Sequence, residues 1–413
     1  MGGHKTIDLW KRAGEAFLCG SSQRIEALLD RPDAEEAIRL LDPGLFAVSV
    51  ARLGLEESIE LLAMSTPEQR DAHLAVTAWK RNEPRFDILD RWLETLWDLD
   101  PLLAARAFLD WSYPLQVLYL KVRLEVMDVA DDPEVDFEGW LTPDRLFLVR
   151  PRETPPPGAE ALTEPVPLSK INLIALVDHL YSVDLQDAAR ILKATVQELT
   201  GNLLLESVVD RDGLLKSLGW PGYEESLALY RAPQLHGPDA RSRPGLVPAG
   251  RLSPSTAMEA LAEAMQRGGE RVSKEFTFSL NALLRFDDVN LDDAESIADT
   301  LRDGLGYLVI GLETLARDPA EAAETLLRLG PREVIRSGFS ATWAPVAAAK
   351  RRRKHEPLHG MDTEMRERID ALLSVRPKFV EKIGDRHRRR GFLSTEEILT
   401  TLAALETPAS GLA

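Results

Sequence analysis

Cysteine is almost absent from this chain, since Cys19 is the single cysteine among 413 residues. One cysteine cannot form an intramolecular disulfide or supply a multi-cysteine zinc or iron–sulfur site, and it suits a reducing compartment. The N-terminal residues also lack the apolar core of a signal peptide. We therefore expect a cytoplasmic protein.

Long apolar runs are also missing. The longest, such as residues 307–312, fall far short of the roughly 20 apolar residues that cross a bilayer. The sequence therefore predicts no transmembrane segment.

Aromatic residues make up only 6% of the chain and β-branched runs are few, whereas Leu, Ala, Glu, Asp and Arg dominate. Most of these abundant residues are strong helix formers. A chain of 413 residues with 44% apolar content can bury substantial cores in two or three domains. We predict an all-α fold, with at most one small β-hairpin near residues 140–150, where Leu146 to Val149 read as a short strand.

A helix-opening pattern recurs four times. An aspartate, usually followed by proline, precedes an apolar stripe that contains small alanines, and the four aspartates are Asp42, Asp100, Asp184 and Asp318. Aspartate accepts the free amide hydrogens of a new helix, proline fits the first helical position, and alanines let helices approach closely. The pattern predicts a stacked helical superhelix followed by a C-terminal helical bundle.

Shifts in composition predict the domain organisation. Residues 1–130 form an N-terminal superhelical lobe, and residues 131–168 form a linker, because the proline-rich stretch 154–158 cannot be helical. Residues 169–405 form a C-terminal helical lobe with an exposed loop near 232–252, and residues 406–413 form a disordered tail. The longest helix should run from about Asp293 to Ala316, with Gly304 and Gly311 allowing close packing against a neighbouring helix.

Recognisable catalytic chemistry is missing. The sequence has no phosphate-binding loop, no paired-histidine zinc motif and no nucleophile elbow. His355 and His359 have helical metal spacing, but Pro357 breaks that geometry, and residues 288–299 lack the glycine and glutamate of a calcium loop. We predict no metal site, no cofactor and no catalytic residue, and we expect His179 to be a partly buried, hydrogen-bonded histidine.

Positive charge is concentrated near the C-terminus. Residues 350–390 hold 14 Lys and Arg against 7 Asp and Glu, so in a chain of net charge −17 the remainder carries −24. Two runs stand out in this region. The candidate partner-binding residues are Lys350, Arg351, Arg352, Arg353, Lys354, Arg386, Arg388, Arg389 and Arg390.

Several segments resemble an uncharacterised family of bacterial cytoplasmic helical proteins, a domain of unknown function. The resemblance covers most of the chain and implies no activity. It is carried by residues 218–230, 282–284, 308–315, 336–340 and 376–379, together with Asp288 and Leu291. More weakly, the leucine-rich helices of residues 25–127 are similar to the superhelical cytosolic domain of magnesium channels, although the membrane part of such channels is missing here.

The leading hypothesis is a noncatalytic, cytoplasmic helical scaffold or adaptor that binds a protein partner, because repeated helical pairs create extended binding surfaces. One alternative is an enzyme whose active site is dispersed across the cleft between the lobes. Another is a phosphate-dependent binder of nucleic acid or of an anionic lipid surface, acting through the runs 350–354 and 386–390.

Overall fold

The computed structural model describes residues 28–130, 138–159, 171–231, 252–291, 293–316, 318–355, 361–383 and 386–406, without the side chains of Ala294, Pro319 and Arg386. These residues are mostly α-helical, with a few small antiparallel sheets. The predicted helical fold class is thereby confirmed. The chain divides into two compact units.

The first unit comprises Leu18–Leu218 together with Asn290–Ala294. A short 3₁₀ turn, Glu56–Ser58, precedes its third helix. The helices described in this unit are α1 (Ala34–Arg39), α2 (Pro43–Leu53), α3 (Ile59–Met64), α4 (Pro67–Thr77), α5 (Phe86–Leu99), α6 (Pro101–Leu109), α7 (Tyr113–Arg123), α8 (Leu173–Val183), α9 (Leu185–Gln197) and α10 (Thr200–Ser217).

Local capping explains where these helices begin. The Asp42 side chain accepts a hydrogen bond from the Leu45 amide at the start of α2, and Asp100 and Asp184 cap α6 and α9 in the same way. Asp318 accepts from the Glu321 amide in the 3₁₀ turn Pro319–Glu321. The helix starts predicted at Asp42, Asp100 and Asp184 are therefore confirmed, whereas Asp318 caps a 3₁₀ turn that leads into the helix beginning at Ala322.

Small sheets accompany the helices of the first unit. β1 (Trp79–Lys80) pairs with β2 (Glu83–Pro84), and β5 (Phe147–Pro151) lies between β3 (Leu124–Asp128) and β4 (Trp140–Leu141). All of these pairings are antiparallel. The hairpin predicted near residues 140–150 is therefore the β4–β5 pair, extended by β3 into a three-stranded sheet.

One large apolar core holds the first unit together. α2 packs on α4, α6 on α8, and α7 on both α9 and α10. Trp92 and Trp111 lie in this core with their ring centroids 5.8 Å apart. Because Trp92 is fully buried and Trp111 is 3% exposed, these tryptophans contribute large apolar surfaces to the core.

The second unit comprises the described residues of Gly219–Val289 and Glu295–Ala413. α12 is interrupted at Gly269, whose φ of 59° lies in the left-handed region that favours glycine. A two-stranded antiparallel sheet pairs β6 (Phe379–Ile383) with β7 (Arg386–Arg390). The helices described are α11 (Tyr223–Tyr230), α12 (Pro254–Phe286), α13 (Ala294–Leu315), α14 (Ala322–Leu329), α15 (Pro331–Ala341), α16 (Ala344–His355), α17 (Thr363–Leu372) and α18 (Thr395–Glu406).

α13 forms the central helix of the second unit. With 22 residues it is shorter than α12, which spans 33 residues including the interruption at Gly269, so the prediction that it is the longest helix is wrong. A β-carbon at Gly311 would lie 2.0 Å from the Val334 carbonyl oxygen of α15, and one at Gly304 would lie 2.7 Å from the Leu280 side chain of α12. α13 also supplies Leu308 to one apolar cluster and Ile310 to a second. The two glycines therefore admit two different neighbouring helices.

The division between the units differs from the predicted domain boundary. The sequence places a linker at residues 131–168, whereas the first unit continues to Leu218. β5 lies within that range and pairs with β3, and α8 to α10 complete the same core. The predicted loop near 232–252, apart from Leu252, and the predicted tail after Glu406 lie outside the described residues.

Candidate functional site

The first basic run occupies the last turns of α16. Lys350, Arg351, Arg353 and Lys354 are exposed, whereas Arg352 is half-buried. Cations are favoured at this end of a helix because the carbonyl groups there carry partial negative charge. Local helix electrostatics therefore account for a basic run at this position.

Helical geometry places the five cations on two opposite sides of α16. Successive residues are rotated by about 100° in an α-helix, so Arg352 continues the face of the buried residues Ala348 and Ala349. That face packs on α18, where Arg352 Nη1 donates to the carbonyl oxygens of Ala404 at 3.1 Å and Leu405 at 3.0 Å. The other four cations lie on the opposite side of α16, within an arc of about 160°.

We call Lys350, Arg351, Arg353 and Lys354 the α16 basic surface. Within the described part of the chain, no ion pair or side-chain hydrogen bond engages any of these four side chains. Their exposure keeps the charges in water, and their proximity creates a locally positive potential on an otherwise acidic chain. This arrangement suits contact with a negatively charged group.

The second basic run forms β7 and is largely engaged within the chain. Arg388 Nη2 donates to both carboxylate oxygens of Asp299, at 3.1 and 3.0 Å, and His387 Nδ1 lies 2.5 Å from the Glu367 carboxylate. Arg389 is exposed, and the side chain of Arg386 is outside the described atoms. Arg388 and His387 are therefore engaged within the chain, whereas Arg389 is not engaged by any ion pair among the described residues.

Arg390 lies in the interior, only 6% exposed. Its guanidinium pairs with Glu397 at 2.8 Å and with Glu381 at 3.1 Å. Burial raises the pKa of Glu381, but the hydrogen bond and positive charge of Arg390 lower it by a larger amount. The pKa of Glu381 therefore lies below its ordinary value. Arg390 thus stabilises the β6–β7 hairpin against α18 and is withdrawn from any partner.

A buried charge cluster lies on α13. Asp303, 2% exposed, forms an ion pair with Arg376 Nη1 at 2.9 Å and accepts hydrogen bonds from Lys378 Nζ at 3.2 Å and from the Gly391 amide at 2.9 Å. Burial opposes ionisation of Asp303, but the neighbouring cations outweigh it and lower the pKa of this carboxyl. The carboxylate is therefore fully engaged by its neighbours.

Arg376 extends this cluster to two further groups. It donates to the Tyr307 hydroxyl at 3.0 Å and pairs with the Asp287 carboxylate at 2.5 Å. Asp299, Asp303 and Tyr307 are spaced one helical turn apart on α13. The cluster thereby fastens residues 376–391 to the central helix, and we assign it a structural role.

Sequence reasoning missed Asp303, Arg376 and Lys378. Asp303 lies 75 positions before Lys378 and 88 positions before Gly391, so no short sequence motif could reveal these contacts. The available signal was the pair Asp299 and Asp303, four residues apart in a helix that is otherwise largely apolar. A charged side chain that is buried on a largely apolar helix requires a partner of opposite charge.

The predicted single residues have ordinary surroundings. His179 is half-buried, its Nδ1 lies 2.7 Å from the Ala175 carbonyl oxygen, and its ring meets Trp97 edge-on at 5.3 Å. His355 is exposed at the end of α16, whereas Cys19 and His359 lie outside the described residues. His179 is therefore the partly buried, hydrogen-bonded residue that the sequence predicts.

Clusters of metal ligands and membrane-spanning helices are absent from the described ranges. They contain no group of three or more His, Cys, Asp or Glu side chains arranged to hold a metal ion. None of their helices combines the length and apolar character needed to cross a membrane.

Comparison with known proteins gives one match. A family model described as a family of unknown function, DUF6178, matches residues 11–409. No curated protein matches the chain, and no solved structure matches it. The weaker resemblance of the N-terminal half to magnesium channels is therefore unsupported.

Proposed function

We propose a binding role for this chain, which belongs to DUF6178, a family of unknown function. In this proposal it is a noncatalytic cytoplasmic scaffold that holds an acidic protein partner on the α16 basic surface. The cytoplasm is proposed because a single cysteine suits a reducing compartment. The observation that carries the proposal is the contrast between the two basic runs.

Carboxylates are plentiful in this chain, with 67 Asp and Glu against 50 Lys and Arg. Folding engages Arg388 and Arg390 of the second run with such carboxylates. Lys350, Arg351, Arg353 and Lys354 have no such pairing among the described residues, despite the excess of acidic groups. Their charges therefore remain available to a group outside the chain.

The size and setting of the surface favour an acidic protein segment over a polyanion. Nucleic acids and anionic membranes gain affinity from many cations acting together, whereas four cations on a chain of net charge −17 face repulsion from the remaining surface. A short segment with several carboxylates can meet four cations without bringing a long anionic backbone close to the rest of the protein.

The buried cluster around Asp303 does not favour an enzyme. Arg376 and Lys378 both pair directly with Asp303. A catalytic carboxylate or cation needs a substrate within hydrogen-bond reach, and these groups are already occupied by their neighbours.

Charge reversal tests the binding role. We expect the variant K350E/R351E/R353E/K354E to bind a glutamate-rich peptide at least about 30-fold more weakly than the wild type. Exposed ion pairs contribute about 0.5 kcal/mol or more each, and about 1.4 kcal/mol corresponds to a factor of ten. The measurement is fluorescence anisotropy with a labelled peptide, at one fixed salt concentration.

The matched control is R106E/K193E/K216E/R328E, which makes the same net charge change at scattered exposed cations. We expect this control to keep most of the wild-type affinity and the two variants to melt at similar temperatures, because each places glutamates in the last turns of helices. Equal loss of affinity in both variants would contradict a role for α16. Tighter binding of an oligonucleotide or anionic vesicles, lost in the α16 variant, would overturn the choice of an acidic protein partner.

A further inference from the structure

We infer that Arg352 is the positioning residue of the α16 basic surface, an inference that rests on the proposed function. Its sequence neighbours face outward, whereas Arg352 itself donates from Nη1 to the carbonyl oxygens of Ala404 and Leu405. The contact ties the end of α16 to the end of α18. The five-cation run therefore contains four binding cations and one anchor.

The contact serves groups that a helix cannot satisfy by itself. The last carbonyl groups of α18 have no donors within that helix, and they carry the partial negative charge of its C-terminus. Arg352 supplies one cationic donor to two of them. A charge-assisted hydrogen bond of this kind contributes more than a neutral one.

The end of α16 needs such an anchor because its cations repel one another. Lys350 and Lys354 are four residues apart, and Arg351 and Lys354 are three apart, so like charges meet on neighbouring helical positions. Each such pair disfavours the helix by about 0.2–0.5 kcal/mol. Arg352 opposes this repulsion by fixing the same turn to α18.

A fixed turn improves binding by reducing the ordering that a partner must impose. Side chains and loops that are ordered only on binding lower affinity, whereas a surface already held in its bound geometry avoids that loss. Arg352 thus acts through Lys350, Arg351, Arg353 and Lys354 without needing to touch the partner.

The test compares R352A with R351A, which removes the same charge from an adjacent outward position. We expect both variants to bind the glutamate-rich peptide several-fold more weakly. Only R352A should accelerate amide hydrogen exchange at Lys354 and His355, by about tenfold, because it alone releases the last turn of α16. R352K should restore exchange to within about twofold of the wild type, since one ammonium group can donate to both carbonyls.

Three results would count against Arg352 as an anchor. Unchanged exchange in R352A would show that the turn is held by other contacts. Faster exchange with unchanged peptide affinity would show that the anchor does not serve binding. If the wild type fails to bind the peptide, the proposed function fails, and the exchange comparison still decides whether Arg352 holds α16 in place.

Discussion

Asp71 on α4 is a carboxyl group whose surroundings disfavour its charge. Burial, followed by the charge of Asp110, raises the pKa of Asp71 to about 7, although Arg70 acts in the opposite direction. Arg70 gives limited help because it pairs with Asp110 at 2.5 Å and donates to the Ser65 carbonyl oxygen at 2.6 Å. Asp71 is thus surrounded by charges that are already engaged elsewhere.

The raised pKa predicts how stability depends on pH. In the unfolded chain this carboxyl has a pKa near 3.9, so the folded protein holds the proton more tightly. The stabilising contribution of protonated Asp71 is fully present below about pH 4 and is lost as pH rises through about 7. We therefore expect the D71N variant to be more stable than the wild type at pH 8 by about 1–2 kcal/mol and nearly equal to it at pH 4.

Urea unfolding of both proteins at pH 4, 6 and 8 checks this expectation. Other titrating groups, including the buried His73, are present in both proteins and cancel in the comparison. D178N, which neutralises an exposed carboxylate on α8, serves as the control for the loss of one negative charge. A stability difference between D71N and the wild type that stays constant from pH 4 to 8 would rule out the titration of Asp71 as its cause.

The two arginines withdrawn from the predicted partner surface differ in how far sequence could identify them. Arg352 follows Ala348 and Ala349 at helical spacing, so an apolar face extending to it was readable in the sequence. Arg390 gave no such sign, because its partners Glu381 and Glu397 meet it through strand pairing and helix packing. A run of like residues thus conceals environments that only tertiary contacts distinguish.

Local elements were predictable where the signal lies within a few residues. Asp42 and Asp100 cap their helices through amides two or three positions away, so a sequence window of four residues contains the whole interaction. The β6–β7 hairpin was missed because its arginines have little strand preference. Cross-strand partners such as Glu381 and Arg388 stabilise it instead, and their pairing depends on register.

The close contact between α13 and α15 predicts that a larger residue at Gly311 lowers the stability of the protein. A β-carbon at Gly311 would overlap the Val334 carbonyl oxygen, and backbone atoms cannot move aside as a flexible side chain can. We expect G311A to lower the free energy of unfolding by about 3 kcal/mol, at the upper end of the usual effect of overpacking. Chemical denaturation of the purified variant measures the change.

Gly213 on α10 provides the matched control. A β-carbon there has nothing within 4 Å, and the residue lies inside a helix. Because alanine is the better helix former, G213A should raise stability by about 0.5–1 kcal/mol. If both substitutions have effects of the same sign and size, close packing of α13 on α15 is not what distinguishes the two glycines.

Charge is distributed unevenly over the whole molecule, and exposed and buried charges should respond differently to salt. The α16 basic surface is exposed, whereas the Asp303 cluster is buried. Raising ionic strength from about 0.1 to 1 M shortens the screening length from about 10 to 3 Å, chiefly at exposed charges. We expect peptide binding to weaken by about tenfold or more, with little change in thermal stability.

Anisotropy and thermal melting of the same samples, across that salt series, provide the two readouts. Sodium chloride and potassium chloride should give matching curves if screening is the cause. Binding that persists at high salt would contradict an electrostatic surface. A parallel loss of stability would indicate that the buried cluster is open to solvent.

Domain organisation is the scale at which sequence reasoning was least informative. A proline-rich stretch marks the absence of helix, but it does not tell whether the chain leaves a compact unit there or merely turns within one. That distinction depends on where β5 and α8 pack, and they rejoin the core formed by the preceding helices. Long-range packing therefore decides the division after Leu218.

The buried charge cluster on α13 also affects the order in which the protein can fold during its synthesis. The Gly391 amide that reaches Asp303 lies 88 positions later in the chain. At about 5–20 residues per second, a ribosome needs about 4–18 seconds to add that stretch. Until residues 376–391 have been added, Asp303 lacks its full set of partners, Arg376, Lys378 and Gly391, so its complete burial on the central helix of the second unit must follow their synthesis.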